Sequence, residues 1–580
     1  MVLARADKLD LYLTSMKHFS KVFQFLLQPQ FHFYYFVVAM LVPNVALCIT
    51  ENMSAWACLS NLILPAAVYA YLFTQSRKPG LIIWVLFPFV FLAAFQLVLL
   101  YLFGNSIIAV DMFLNLVTTN ANEAMELLDN LVPAVAGVFI LYLPALILGG
   151  IAIKKGEQLS VEFARKARRL SGIGMGVGAA WIGLTYMVDP YYAVRTDLFP
   201  ANVCYNCYLA VDRTILTSNY GETSKGFSFD AKSVHDADQR EIYVFVIGET
   251  SRANNWGLYG YERNTTPLLQ QQEGLVAFSD VLTQSNTTHK SVPMLMSLAC
   301  AEDYDQIYAT KGLITAFKDA GFYTAYLSNQ DYNNSFIDIF GKEADEEVFL
   351  KYTDLPAAEK KDTKLAELVA DLIKQGHQKL LVVLHTYGSH FNYYERYPQE
   401  MAQFKPDRIT NVTPENRQVL VNAFDNTILQ TDFFLNGLIE QLKEVDATTA
   451  LLYTSDHGED IYDDDRHLFL HASPVPSYYQ LHVPFVVWTS ESYRTSYPEV
   501  AAHLMTNKEK KVSSNATVIH TLFGIGGIET PYRKDEWAVC SEKYTEKTRY
   551  FLNDHNLPET YDRIGMKEED FEQFGKHGIK

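Results

Sequence analysis

Five long apolar stretches in the first third of the chain restrict its fold more than any other feature. A helix that crosses the hydrocarbon layer of a bilayer needs about 17–25 mainly apolar residues. The stretches cover residues 32–50, 56–74, 81–103, 131–153 and 170–188. The third carries no charge, whereas a helix at the surface of a soluble protein would show a polar stripe. The sequence therefore predicts five transmembrane helices.

The basic residues between these stretches predict the orientation, because lysine and arginine are held on the cytoplasmic side of a membrane. Four precede the first stretch, two lie at Arg77 and Lys78, and six lie in residues 154–169, whereas residues 51–55 and 104–130 have none. This pattern predicts a cytoplasmic N-terminus and places everything beyond residue 189 outside, which in a bacterium is the periplasm. No small-residue cleavage site follows the first stretch, so it is interpreted as a retained anchor.

Composition excludes several other classes of protein. With 49% hydrophobic and 20% charged residues, the 580-residue chain is neither disordered nor collagen-like. Its net charge of -18 argues against nucleic-acid binding, which needs clustered lysine and arginine. Six cysteines are too few for a disulfide framework in a chain of this length, and they are compatible with a few disulfides or with free buried thiols.

Beyond about residue 230, short apolar runs alternate with longer amphipathic segments. The runs at 242–247, 322–327, 379–385, 450–455 and 483–488 are typical of buried strands, and 360–376 and 416–443 have helical spacing. Alternation of this kind predicts a mainly parallel sheet with helices on both faces. Residues 189–229 form a connector for which the sequence predicts no structure.

Polar residues with metal-binding chemistry follow several of the predicted strands. Glu249 comes two residues after the first run, Asp456 and His457 follow the fourth, and His385 ends the third, with His390 five residues later. Functional residues of such folds gather at the carboxyl ends of the strands. Carboxylate and imidazole together suit zinc or a similar divalent ion, although a lone Asp-His pair is more often a simple turn.

The motifs in this region resemble those of a known family. They are VIGETSRANNWGLYGYERNTTP, SNTTHKSVPMLMS, HTYGSHFNYYERYP, YTSDHGE and HLFLHASP. In this order they resemble the membrane phosphoethanolamine transferases, which modify lipid A or lipopolysaccharide core and belong to the alkaline phosphatase and sulfatase superfamily. The resemblance implies a five-helix transmembrane domain at residues 1–188 with an interfacial loop at 104–130. A connector at 189–229 and a periplasmic catalytic domain, an α/β/α sandwich at 230–580, would follow.

The resemblance also implies a set of site residues. The zinc ligands would be Glu249, Thr288, Asp456 and His457, and the alternatives are one zinc ion or two. Thr288 is preferred to Thr287 as the nucleophile because the family's threonine stands three residues before the serine of SVP, here Ser291. Coordination to a dication is a general way to activate a hydroxyl. The alternative is that both threonines only cap the helix expected near Ser291.

Two further histidines match the family, and others do not. His390 and His471 would contact the phosphate or a second metal ion, and an imidazole could donate a proton to the leaving oxygen. His385, at the end of a buried strand, and His467, in a charged loop, are expected to be structural.

The predicted interfacial loop carries a regular pattern of polar residues. Asn115, Thr119 and Glu123 are four residues apart, which places them on one face of a helix. The resemblance implies that they hold the head group of the donor lipid. An acidic interfacial helix is the alternative, since Asp111, Glu126 and Asp129 lie in the same segment.

The sequence departs from the better-known lipid A-modifying members at two places, which leaves the acceptor open. No cysteines flank the nucleophile, and a lysine expected about eight residues beyond the run at 322–327 is replaced, with Phe336 near that position. Both changes are expected around the substrate pocket.

The function predicted from all of this is a two-step transfer in the bacterial inner membrane by a monomeric enzyme. Thr288 would take phosphoethanolamine from phosphatidylethanolamine, releasing diacylglycerol, and pass it to lipid A or lipopolysaccharide core. Two alternatives remain: a glycerol phosphate transferase similar to lipoteichoic acid synthases, and an inactive membrane sensor or scaffold that keeps the metal site as a structural clasp.

Overall fold

A computed structural model describes residues 25–51, 53–103, 107–118 and 132–580 of the chain. The chain divides into two compact units. One comprises Met1–Ala109 and Leu128–Tyr208, and the other comprises Val110–Leu127 and Leu209–Lys580. The short helix α5 (Val110–Thr118), which lies between two long apolar helices in the sequence, therefore belongs to the second unit.

The first unit is built from long apolar helices. They are α1 (Pro29–Thr50), α2 (Ala55–Leu72), α3 (Pro79–Val85), α4 (Phe87–Phe103), α6 (Val132–Lys155) and α7 (Val161–Val188). Four of them are long and apolar enough to cross a membrane, and α3 with α4 would make a fifth crossing if the bent pair is one span.

The third apolar stretch is not the single continuous helix that the sequence predicts. Helices α3 and α4 meet at an angle of 65°. Pro88 is the second residue of α4, and a proline there has no N–H to bond into the preceding turn and its ring crowds the carbonyl four residues back. The bend therefore lies beside a proline in a run that stays apolar throughout, whereas Pro43, Pro65 and Pro144 lie inside continuous helices.

The second unit contains the sheet that the sequence predicts, with helices in the connector. Its seven strands are β1 (Glu241–Gly248), β2 (Leu275–Ala277), β3 (Tyr323–Ser328), β4 (Glu346–Phe349), β5 (Lys379–His385), β6 (Thr448–Ser455) and β7 (Phe485–Thr489). Their order is β2–β7–β6–β1–β5–β3–β4. Strands β6, β1, β5, β3 and β4 run parallel, and β7 is antiparallel to both β6 and β2.

Helices cover the sheet and fill part of the connector. The longer ones are α8 (Ala201–Ser218), α9 (Thr288–Leu295), α10 (Asp362–Lys374), α11 (Arg417–Lys443), α12 (Pro498–Asn507), α13 (Ser514–Ile525) and α14 (Glu568–Lys576). The boundary between the two units falls within α8. The predicted helices at 360–376 and 416–443 correspond to α10 and α11.

Alternation along the strands divides the apolar core between the two faces of the sheet. In β1, Tyr243, Phe245 and Ile247 join one core cluster, which includes side chains of α9 and α13. Ile242, Val244 and Val246 join the other, which includes side chains of α10 and α11. Because both faces are buried, β1 is apolar throughout and shows no polar alternation.

All six cysteines are free, so none of the disulfides that the sequence left open is formed.

Candidate metal centre

The centre lies where two neighbouring parallel strands end. Gly248 of β1 pairs in register with Ser455 of β6, so the residues that follow them leave the sheet side by side. Glu249 therefore meets Asp456 and His457, although about 200 residues separate them in the sequence. The backbone N–H of Thr250 donates to Asp456 Oδ1 at 3.1 Å. Thr250 has a φ of 61°, which is unusual for a β-branched residue and typical of strain at a functional site.

The structure brings all four predicted zinc ligands together. One ligand atom from each of Glu249, Asp456 and His457 lies within 4.8 Å of the other two, and all three residues are buried. Thr288 Oγ1 lies 3.0 Å from His457 Nε2 and 3.3 Å and 3.4 Å from the two carboxylate oxygens of Glu249.

The electrostatics of this cluster call for a cation. Burial and the neighbouring Asp456 raise the pKa of Glu249 well above its usual range, and burial raises the pKa of Asp456 to about 6. Burial likewise lowers the pKa of His457. Within the described part of the chain, no lysine or arginine forms an ion pair with either carboxylate, and Asp456 Oδ2 is buried without a hydrogen bond. A divalent ion would stabilise both carboxylates in their charged form.

The imidazole of His457 is oriented for ligation. Its Nδ1 lies 3.0 Å from the carbonyl oxygen of Gly458, so Nδ1–H donates there and the lone pair of Nε2 faces the cluster. Two carboxylates, one imidazole and one hydroxyl form a donor set that suits zinc. The residues present thus fit the metal that the resemblance implies.

Thr288 is the first residue of α9, so the helix begins three residues earlier than the sequence suggested. Thr287 holds the N-cap position, but its side chain makes no capping hydrogen bond and instead lies 3.1 Å from Ser285 Oγ. Of the two threonines, only Thr288 has its hydroxyl at the carboxylates.

Buried polar side chains hold the backbone of the centre. Thr283 and Ser291 both donate to the carbonyl oxygen of Asp456, at 2.7 Å and 2.6 Å. Asn515, on α13, accepts from the Gln284 N–H at 2.6 Å and donates to Ser291 Oγ at 2.8 Å. The serine of the SVP motif therefore ties the helix of Thr288 to the loop of Asp456.

His471 and His390 lie beside the centre. The rings of His457 and His471 are 4.2 Å apart between centroids, and those of His471 and His390 are 6.4 Å apart. His471 Nδ1 lies 3.4 Å from a carboxylate oxygen of Glu459. Burial lowers the pKa of His390 to about 3, and its Nδ1 bonds the Phe391 carbonyl oxygen at 2.6 Å.

The two histidines expected to be structural lie elsewhere. His385 is buried at the end of β5, where its Nδ1 lies 3.2 Å from the hydroxyl of Tyr326, and burial lowers its pKa to about 3. His467 occupies a loop with a φ of 53°.

Three polar side chains near the centre were not found from the sequence. Gln330 Nε2 lies 3.5 Å from Glu249 Oε2 and donates to the Thr386 carbonyl oxygen at 2.7 Å. Lys351 and Arg396 stand 3.9 Å and 4.2 Å from the ring centre of Tyr387, which stacks on His390. Gln330 and Lys351 each lie two residues after the carboxyl end of a strand, β3 and β4. A position after a strand end is the sequence signal that could have indicated these two residues.

The expectation that Phe336 lines the pocket in place of a lysine is wrong. Phe336 is 5% exposed and packs in the core against Tyr220 and Phe340. Phe336 starts a short helix, and the apolar residues Ile337 and Phe340 that follow it hold this segment in the core.

The donor-binding pattern is only partly within the described residues. Asn115 lies in α5, but its side chain is not described, and Thr119 and Glu123 lie outside the described residues. Their predicted role stays a prediction.

Comparison with known proteins identifies the domain and its relatives. Residues 241–528 match the sulfatase family. The Kdo(2)-lipid A phosphoethanolamine 7''-transferase of Escherichia coli (strain K12) is 26% identical over 408 residues, 67% of this chain and 68% of the relative. The chain spans about half the length of other curated phosphoethanolamine transferases that it matches, for example 55% of EptC of Escherichia coli O18:K1:H7.

Two solved structures share the fold. The C-terminal periplasmic domain of EptC from Escherichia coli, crystallised as a complex with Zn, is 25% identical with a TM-score of 0.52 and covers 58% of this chain and 96% of that chain. The integral membrane lipooligosaccharide phosphoethanolamine transferase A (EptA) from Neisseria meningitidis is 22% identical with a TM-score of 0.70 and covers 89% of this chain and 97% of that chain. The sulfatase-family match and the curated relatives support the resemblance to the phosphoethanolamine transferases that the sequence motifs indicate.

Proposed function

We propose that this protein transfers phosphoethanolamine from phosphatidylethanolamine to lipid A or lipopolysaccharide core, with Thr288 as the nucleophile. One observation carries the proposal: the hydroxyl of Thr288 lies within 3.4 Å of Glu249 and His457 in a buried cluster that fits a zinc ion. The relatives named for transfer of phosphoethanolamine, one of them to Kdo(2)-lipid A, support the choice of group and acceptor.

In the first step, Thr288 Oγ1 loses its proton to solvent and forms a bond to phosphorus while the bond from phosphorus to the diacylglycerol oxygen breaks. A bound zinc ion would lower the pKa of the attacking hydroxyl and offset negative charge on the phosphoryl oxygens. The leaving oxygen takes up a proton, and the imidazole of His471, which lies beside His457 with its Nδ1 3.4 Å from a carboxylate oxygen of Glu459, is placed to donate it. Phosphoethanolamine then remains covalently attached to Thr288.

In the second step, a hydroxyl or phosphate oxygen of the acceptor attacks the phosphothreonine, and the bond to Thr288 Oγ1 breaks. The attacking group loses a proton, and the freed Thr288 Oγ1 takes one up, which regenerates the hydroxyl. His390, neutral because burial lowers its pKa to about 3, binds the Phe391 carbonyl oxygen through Nδ1 and so has Nε2 free of that bond to interact with phosphate or acceptor. The same site thus serves both steps, with donor and acceptor entering in turn.

We further propose how the chain is placed in the membrane. Five crossings, the third made by the bent pair α3 and α4, would put residues 230–580 in the periplasm as a three-layered α/β/α domain and the N-terminus in the cytoplasm. The basic residues at 154–169, between α6 and α7, support this orientation. Asn115, Thr119 and Glu123 would bind the ethanolamine head group at the membrane surface. The protein is proposed to act as a monomer with one zinc ion, and a second would lie near His390 and His471.

The two alternative functions are less well supported. The curated relatives transfer phosphoethanolamine according to their names, which favours that group over glycerol phosphate. A complete set of four ligand groups, with a hydroxyl among them, goes beyond what an inactive structural clasp needs.

The test compares two neighbouring threonines in cells. Mass spectrometry of lipid A and core sugar should detect added phosphoethanolamine with the wild-type protein and none with Thr288→Ala. Thr287→Ala is the matched control and should retain activity within about threefold, because its hydroxyl contacts Ser285 and not the carboxylates. Modification that persists in Thr288→Ala would refute the proposed nucleophile, and its absence with the wild-type protein would refute the function.

A further inference from the structure

A buried group of charged residues joins α5 to the helix that begins at Thr288. Asp111 stands in the first turn of α5, and its Oδ2 lies 2.6 Å from Lys290 Nζ. Its Oδ1 lies 3.3 Å from His289 Nε2 and also 3.3 Å from Arg213 Nη1. Together with Asp554, these residues are called the Asp111 cluster.

Asp554 fixes the start of α5. Its carboxylate accepts the backbone N–H groups of Val110 at 2.7 Å and Asp111 at 3.0 Å, which satisfies donors that a helix leaves unpaired at its first turn. The backbone around Asp554 is held by two further hydrogen bonds. Arg213 donates to the carbonyl oxygen of Asp554 at 2.7 Å, and Lys290 donates to that of Asn553 at 3.1 Å.

The charges of the cluster are balanced, with two carboxylates facing one ammonium and one guanidinium group. The side chains of Lys290, Arg213 and Asp111 are only 2%, 10% and 14% exposed. Burial favours the neutral form of Asp111, but the charge of Lys290, the contact with His289 and the charge of Arg213 outweigh it and hold the pKa of Asp111 well below its usual range. Removal of one charged member leaves an uncompensated charge in a buried place.

The cluster connects two parts of the proposed reaction. His289 and Lys290 directly follow Thr288 in α9, and Asn115 follows Asp111 by one helical turn in α5. Helix α5 is thus attached to α9 through two residues, His289 and Lys290, that lie one and two positions after the proposed nucleophile. We propose that Asp111 is a positioning residue that holds the helix bearing Asn115 in register with Thr288, so that the head group of a phospholipid donor lies at the attacking hydroxyl.

This inference rests on the proposed function, and its test uses steady-state kinetics of the full-length, zinc-loaded protein. The donor is phosphatidylethanolamine in mixed detergent micelles, and diacylglycerol release is measured. Asp111→Asn is expected to raise KM for the donor about tenfold and to change kcat less than about threefold, because a binding position is lost while the chemistry is intact. Lys290→Met should act in the same direction.

The double variant Asp111→Asn with Lys290→Met separates positioning from stability. Each single variant leaves the cluster with an unbalanced charge and should melt at a lower temperature than the wild type. The double variant leaves one guanidinium, of Arg213, and one carboxylate, of Asp554, so the charges of the cluster balance again. The double variant should therefore recover much of the melting temperature. Its KM should stay raised, because the tie between α5 and α9 is absent. Asp371→Asn, an exposed carboxylate on α10, is the control and should change neither quantity.

The outcomes distinguish the two proposals. If the wild type releases diacylglycerol and the double variant has a normal KM, the positioning role of Asp111 is refuted while the proposed function stands. Recovery of KM together with melting temperature in the double variant would mean that the cluster only stabilises the fold. If a single variant fails to fold, the double variant decides the question alone. A wild type that does not consume phosphatidylethanolamine would refute the proposed function and with it this inference.

Discussion

Two glutamates bracket the central strand β1, and their surroundings differ sharply. Glu241 is the first residue of the strand and Glu249 follows its last, and both are buried. The carboxylate of Glu241 accepts hydrogen bonds from His235 at 2.6 Å, from the Tyr243 and Tyr497 hydroxyls at 3.0 Å, and from Lys379 at 3.1 Å. Glu249 faces a second carboxylate and a threonine hydroxyl instead.

The pKa values of the two groups follow these surroundings in opposite directions. Burial favours the neutral form of both carboxyls. At Glu241 the hydrogen bond from His235 and the charge of Lys379 outweigh burial and lower the pKa, whereas at Glu249 the neighbouring Asp456 adds to burial and raises it. A buried carboxylate that is paired with a lysine of the same chain has a structural role. A buried carboxylate without such a partner can bind a cation from solution.

Loss of zinc binding is therefore expected from a substitution at Glu249, after the carboxyl end of β1, and not from one at Glu241, at its start. Glu249→Gln should lower phosphoethanolamine transfer by about a thousandfold or more and reduce the bound zinc, because it removes a ligand beside the nucleophile. Chelation of the wild type should have a similar effect on activity, with recovery on addition of zinc. Zinc content by elemental analysis and diacylglycerol release are the measurements.

Glu241→Gln is the control for that experiment, because it makes the same substitution eight residues earlier and should leave the zinc content unchanged. Normal activity in Glu249→Gln would contradict the role of Glu249 at the metal. Loss of zinc in both variants would contradict the different roles assigned to Glu241 and Glu249.

The second prediction concerns stability at the opposite end. Glu241→Gln should destabilise the protein by about 3 kcal/mol. The side chain of Lys379 is only 10% exposed, and its ammonium group would lose its ion-pair partner and keep only the hydrogen bond to Ser233. Thermal unfolding of the zinc-loaded, full-length protein measures the effect. Glu444→Gln, an exposed residue after α11, should unfold like the wild type. A melting temperature unchanged in Glu241→Gln would show that the hydrogen bonds at this carboxylate contribute little.

The sequence predicted those features of the fold that depend on local pattern. Run 379–385 coincides with β5, and the other runs lie within two residues of β1, β3, β6 and β7, because fully buried strands are continuous apolar runs. Strands β2 and β4 are only three and four residues long, and the sequence did not predict them. The order of the strands, with antiparallel β7 between β2 and β6, depends on long-range pairing that no local pattern expresses.

The sequence predicted the residues that the structure brings together at the centre, and it did not predict the side chains that support them. Glu249, Asp456 and His457 stand at strand ends, where position and chemistry agree, and the resemblance to a family added Thr288. The Asp111 cluster joins residues from four distant segments and consists of common charged residues, so nothing in the sequence pairs Asp111 with Lys290. Asn515 was missed for the same reason, since a buried asparagine in a helix is informative only once its partners are known.

The last prediction uses pH to separate the two carboxylate environments in the metal-free protein. Burial raises the folded-state pKa of Asp456 to about 6 and that of Glu249 above its usual range, so both groups bind protons more tightly in the folded state than in the unfolded state. Their contribution to stability is therefore fully present below about pH 4 and is lost as pH rises toward about 6 and beyond. The lowered pKa of Glu241 acts in the opposite sense, because its contribution is lost as pH falls.

The measurement is the melting temperature in excess chelator at pH 5 and at pH 7, for the wild type and for a variant combining Glu249→Gln with Asp456→Asn. The variant lacks the two titrating groups, so the wild type should lose about 2–4 °C more than the variant between pH 5 and pH 7. With zinc the difference should reverse in the wild type, because the metal binds the deprotonated carboxylates and stabilises the folded state more strongly as protons leave. If wild type and variant had the same pH dependence in chelator, the pKa values of the two carboxylates would not be raised in the metal-free protein. The contrast with Glu241 would then be wrong.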